Sequence, residues 1–89
     1  MTASTDNHKA HDYAERIRER LPRRLQELRE AAGLSKYGLA RESGLSREYI
    51  GKLERGVANP TIPVTAQLSH GIGMKLTEFV ERLEDEGES

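Results

Sequence analysis

Eight consecutive residues, Ser46-Arg47-Glu48-Tyr49-Ile50-Gly51-Lys52-Leu53, concentrate the hydrogen-bonding chemistry of this chain. Arg47 offers a planar fork of donors that matches a pair of acceptors. Glu48 offers oxygens that only accept, Tyr49 a hydroxyl, and Lys52 a compact positive charge. These groups recognise a partner and do not break bonds. No nucleophile, base and orienting group can be paired from the residues present, so enzyme function is not expected. His8, His11 and His70 lack ligand spacing and there is no cysteine, so neither a metal, a cofactor nor a disulfide is expected.

To act together the groups must share one face of a helix. Ser46 is placed to cap a helix over 47–55, with Ile50 and Leu53 pointing inward and Gly56 as the stop. Positions 46, 47, 48, 51 and 52 then face outward. Upstream, Ser35 caps a helix running to Ser43, with Leu39 and Ala40 inward and Gly44 closing it in a left-handed conformation. The link between the two is only Gly44-Leu45-Ser46. A turn that short sets the helices at a steep angle, the helix-turn-helix unit.

The remaining elements must supply the support. Ile17, Leu21, Leu25, Leu28 and Ala32 form the stripe of an amphipathic helix ending at Gly33. Pro22 leaves two readings: a break at Leu21, with a separate short helix over about 12–20, or one long helix kinked at the proline. The break is preferred because proline suits a first helical turn. Asn59-Pro60 signals a turn, and Thr61 caps a fourth helix with Pro63 in its first turn. Ile62, Leu68 and Ile72, joined by Thr65, are its inward positions, and Gly73 ends it. A fifth helix over about 76–83 carries Leu76, Phe79, Val80 and Leu83. No window alternates as a strand would, so the fold class is all-α.

Composition agrees with one small domain. The chain has 89 residues, 35% hydrophobic and 33% charged, with one Phe, three Tyr and no Trp, so aliphatic side chains must build the core. Residues 1–11 read as a disordered lead, 12–83 as the domain with its core at 22–83, and 84–89 as a frayed acidic tail. No apolar run spans a bilayer and the N-terminus is polar, so a cytoplasmic protein without membrane contact is expected. The net charge is -1, but residues 75–89 hold two basic and six acidic groups, leaving 12 basic and 9 acidic in the rest. That asymmetry implies one basic working face and one solvated end.

From Leu25 to Leu83 the chain resembles the lambda repressor and Cro-like family of XRE-type regulators. The resemblance rests on Leu25-Gln26-Glu27-Leu28-Arg29, Gly33-Leu34-Ser35, Leu39-Ala40, Gly44-Leu45-Ser46, Ile50, Glu54-Arg55-Gly56, Asn59-Pro60-Thr61 and Gly73-Met74, with no gap over about 60 residues. It implies a five-helix lambda repressor-like domain, here with an additional N-terminal helical segment. Three features depart from the family pattern. Lys36 replaces the usual Gln at the start of helix 2, Lys75 replaces a Ser cap of helix 5, and Gly38, Gly51 and Gly71 each cost about 1 kcal/mol against alanine.

The resemblance also implies a partner, double-stranded DNA, whose major groove is about 12 Å wide and admits one helix. Arg47, Glu48 and Lys52 are then the base-reading candidates, Arg47 through guanine O6 and N7. Glu48 accepts from a cytosine amino group or merely balances charge, and Lys52 reads guanine or touches phosphate. Ser35, Lys36, Tyr37, Ser46, Arg55 and Asn59 resemble backbone-contacting positions. Tyr49 either joins them or packs inward. The arginines at 16, 18, 20, 23 and 24, interleaved with glutamates, read mainly as a solvated helix face.

Relatives of this type pair on two half-sites about 34 Å apart, so a homodimer is expected. Met74, Phe79, Val80 and Leu83 are its expected interface, with the surface around Tyr13 and Ile17 as competitor. The size is similar to restriction-modification controllers and small phage repressors. The rival role is a protein-binding module, an antitoxin or bridging coactivator, with a protein partner engaged through the acidic tail.

Overall fold

The computed structural model describes residues 7–85, which form five helices and, among themselves, no strand. These are α1 (Asn7–Ala31), α2 (Lys36–Ser43), α3 (Arg47–Glu54), α4 (Ile62–Ile72) and α5 (Leu76–Glu84). Residues 1–6 and 86–89 lie outside the described part, and with them about half of the expected lead and most of the expected acidic tail.

Side-chain oxygens set the starts of three helices. Ser35 Oγ accepts from the Gly38 N–H at 2.9 Å, Ser46 Oγ from Tyr49 N–H at 3.0 Å, and Thr61 Oγ1 from Val64 N–H at 3.2 Å. Each takes up a first-turn amide that has no partner within its own helix. Lys75 precedes α5 with no such bond, because an ammonium has nothing to accept with. Gly44 ends α2 at φ 79°, a conformation that costs a residue with a Cβ about 1–2 kcal/mol. The left-handed step turns the chain into α3 within three residues.

The core is small and aliphatic apart from Phe79. Leu25, Leu39, Ala40, Ile50, Leu53, Leu68, Phe79 and Leu83 are buried together, drawing on every helix. α2 lies along α4, while α1 packs on both α3 and α5. The α2–α4 approach is close because position 71 has no side chain. A Cβ there would stand 2.9 Å from Leu39 Cδ1 and 3.1 Å from the Ser43 amide nitrogen. At Gly38 the nearest atoms to such a Cβ are 3.4 Å away, ordinary contact. Gln67 Nε2 of α4 donates to the Ser43 carbonyl at 3.2 Å, holding the end of α2.

Five expectations are corrected. α1 runs unbroken from Asn7 to Ala31 through Pro22, so there is no break at Leu21, and residues 7–11 are helical where a disordered lead was expected. A proline inside a helix costs about 3 kcal/mol, and the interactions on either side of it explain why the helix continues. Leu21 and Leu28 pack on the core and Leu25 is part of it. Arg20 Nη1 donates to the Glu84 carbonyl at 2.6 Å, Arg24 Nη2 to the Asp85 carbonyl at 2.5 Å, and the Tyr13 hydroxyl to Glu84 Oε2. Pro22 itself packs where a Cβ on Gly56 would meet its Cγ at 3.4 Å.

The other three corrections concern burial. Ile62, expected inward, is 70% exposed. It is the first residue of α4, and since helical side chains lean toward the N-terminus, it points past the packed face. Ala32 is exposed in the turn beyond α1 rather than on its stripe. Phe79 and Leu83, expected on a partner-facing surface, are 1% and 6% exposed. In a chain with one Phe they are consumed by the monomer core, around a junction with Leu21, Leu25, Pro60 and Leu68.

Candidate nucleic-acid interface

The short turn at Gly44 brings the N-terminus of α3 beside that of α2. Between them lies an open concavity of about 820 Å3, lined by Arg29, Ser35, Lys36, Tyr37, Ser46, Arg47, Glu48, Gly51 and Arg55. The first turns of both helices border it, so amides with no intrahelical acceptor stand at its edge, a favourable setting for an anion. Ser35 and Ser46 each accept one N–H in capping, and each hydroxyl proton can still be donated.

The charge of the concavity follows from its pairing. Arg29 is buried, and its guanidinium donates to Glu54 twice, Nε to Oε2 at 2.7 Å and Nη2 to Oε1 at 3.0 Å. A third donor, Nη1, reaches the Leu34 carbonyl at 2.9 Å. The hydrogen bond to Glu54 raises the Arg29 pKa above its already high ordinary value, with burial acting against it. With that charge matched, Lys36, Arg47 and Arg55 face one carboxylate, Glu48, and the surface is net positive. A buried two-pronged ion pair also ties α3, the helix that carries Arg47 and Glu48, to α1.

Most of the residues singled out from sequence meet here, and a few do not. Ser35, Lys36, Tyr37, Ser46, Arg47, Glu48 and Arg55 share the concavity. Lys52 is exposed on α3 but outside it, as is Asn59 beyond the helix. Tyr49 is half-buried against the core. Gly51, expected as a bare outward position, is buried. The cover comes from Arg55, since a Cβ at position 51 would stand 3.2 Å from Arg55 Nη1.

Sequence reasoning missed the pairing of Arg29 with Glu54. The available signal was positional. Arg29 follows Leu25 by four residues and Glu54 follows Ile50 by four, so two opposite charges occupy stripes that are otherwise apolar. The arginines of α1 divide in two. Arg18 pairs with Glu15, and Arg23 with Glu27, on the solvated face as expected. Arg20 and Arg24 reach the end of α5, Arg24 while also pairing with Glu27 at 3.2 Å.

The comparisons with known proteins agree with this geometry. The family model HTH_3, described as helix-turn-helix, matches residues 25–79. An uncharacterized HTH-type transcriptional regulator of Sinorhizobium fredii, y4dJ, is 36% identical over 53 residues, which is 60% of this chain and 69% of that protein. The crystal structure of an HTH_3 family transcriptional regulator from Vibrio cholerae is similar with a TM-score of 0.67 at 28% identity. That match covers 73% of this chain but only 36% of the other, so this chain spans about a third of that protein. The clp gene regulator ClgR from C. glutamicum is similar with a TM-score of 0.66 at 27% identity, over 75% of this chain and 87% of that one.

Proposed function

This chain belongs to the HTH_3 helix-turn-helix family of transcriptional regulators, and from that premise we propose that it binds a two-half-site DNA operator as a homodimer, α3 entering the major groove. One observation carries the reading. The N-termini of two helices converge on a net-positive concavity whose middle is the outward face of α3.

In this arrangement Arg47 reads guanine and Glu48 accepts from cytosine on the facing strand, while Lys52 reaches an edge of the groove. Lys36, Tyr37 and the hydroxyls of Ser35 and Ser46 contact phosphates, with Asn59 flanking the groove, and fix register. Tyr49 contributes packing beneath α3 rather than a contact, in keeping with its half-buried place against the core. The second copy joins through the face of α5 left outside the core. There Val80 is 41% exposed beside half-buried Leu76, and Met74 lies just before the helix. Tyr13, 48% exposed and bonded to Glu84, borders the same face.

The test is selection of bound duplexes from a random pool at moderate salt, repeated with Arg47→Ala. A two-part motif with half-sites about one helical turn apart is expected, and Arg47→Ala should relax it at one base pair per half. If no motif is enriched, the regulator reading fails and a protein-binding role takes its place.

A further inference from the structure

Arg55 stands at the C-terminal boundary of α3, where the chain leaves the helix, yet its side chain turns back. Arg47, Gly51 and Arg55 are spaced by four and lie on one stripe of the helix surface. Long helical side chains lean toward the N-terminus, so an arginine at the last turn of this stripe covers the turn before it. The coordinates show that cover. Gly51 is buried although its stripe faces outward, and a Cβ at position 51 would come within 3.2 Å of Arg55 Nη1.

The consequence is a change in where the charge sits. Four residues of helix are about 6 Å along the axis, so the Arg55 guanidinium lies at the middle of the reading face and not at its rim. It lines the same concavity as Arg47 and Glu48. A phosphate contact needs a donor at the edge of a groove, whereas the middle of an inserted helix meets base edges. Glycine is a poor choice for a helix interior, but here it leaves the room that a Cβ would share with the guanidinium.

We propose that Arg55 is a specificity-determining residue that reads a base edge from a seat provided by Gly51, guanine being the base whose O6 and N7 match its fork. The proposal rests on the DNA-binding reading above. Its test is the same selection from a random duplex pool, run with the full chain and with Arg55→Ala, Arg55→Lys and Gly51→Ala, each checked for folding by thermal melting.

The wild-type chain is expected to enrich a motif in which one guanine per half-site depends on Arg55, separately from the position that Arg47→Ala relaxes. Arg55→Ala should lower discrimination at that pair by about 5- to 150-fold, and Arg55→Lys should fail to restore it because an ammonium has no fork. Gly51→Ala should weaken the same position while melting at the wild-type temperature or above. A wild-type motif that Arg55→Ala binds with uniformly lower affinity, and that Arg55→Lys restores, would overturn the proposal and leave Arg55 a phosphate contact. A wild-type chain that enriches no motif would overturn the DNA-binding reading itself.

Discussion

Arg29 Nε and Glu54 Oε2 lie 2.7 Å apart across the contact between α1 and α3, with both side chains withdrawn from solvent. Removing one partner of such a pair strands a buried charge and costs about 3–5 kcal/mol. In a domain of this size each kcal/mol shifts the melting temperature by about 4–8 °C. Glu54→Ala should therefore melt at least about 12 °C lower than wild type. The double change Arg29→Met with Glu54→Leu should recover part of that loss, since matched apolar groups leave no stranded charge, although the Leu34 carbonyl loses the donor that Arg29 supplies. A double variant as unstable as the single one would show that the pair contributes net stability and not only orientation.

Two glycines in helices should respond to alanine with opposite signs. Gly71→Ala places a methyl 2.9 Å from Leu39 Cδ1 and 3.1 Å from the Ser43 backbone, and overpacking against backbone costs about 1–3 kcal/mol. Gly38→Ala meets only ordinary contacts and gains about 1 kcal/mol of helix propensity. Urea denaturation midpoints should fall for the first and rise for the second. Equal shifts would mean that the α2–α4 approach is looser than the coordinates show.

Lys36 and Arg47 should separate in salt. If Lys36 makes the phosphate contact proposed for it, Lys36→Ala should lower affinity alike for all sequences and shrink the slope of log K against log salt by about 0.9. Arg47→Ala should instead cost about 1–3 kcal/mol on the operator while changing affinity for unrelated DNA far less. Titrations at several salt concentrations, on operator and on scrambled duplex, distinguish the two.

The proposed dimer is testable at Val80, which contributes to the α5 surface and not to the core. Val80→Glu should leave thermal stability within about 0.5 kcal/mol, as surface changes usually do. It should also shift the protein to monomer in sedimentation and lower operator affinity steeply. A monomeric wild type with an unchanged Val80→Glu variant would move the interface to another surface.

Much of this fold was legible because helix starts are local chemistry. Ser35, Ser46 and Thr61 each precede an apolar repeat, and a hydroxyl three residues before an amide is a statement that four residues can make alone. The turn at Gly44 was legible for the same reason. What was not legible depends on residues far apart in the chain. Pro22 leaves a break or a kink open on local rules and tips the preference to the break, and the anchors that carry α1 past it reach Glu84 and Asp85. Phe79 and Leu83 look like spare apolar surface until the core that needs them is assembled. Gly38, Gly51 and Gly71 are identical as letters, yet one fits a methyl, one lies beneath a guanidinium and one lies against a neighbouring helix. At the candidate site the residue types were legible and their seating was not, since Arg55 reads as a flanking position until its side chain is seen to turn back.

The bonds from Arg20 and Arg24 to the last carbonyls of α5 join residues 64 and 61 positions apart. These bonds tie α5 to α1, so the two helices are expected to open together. Fraying of the final turn of α5 takes away the acceptors that steady α1 on either side of Pro22. Proteolysis of such a domain begins where backbone comes loose. A nick close to Asp85 is therefore expected to loosen α1 together with α5.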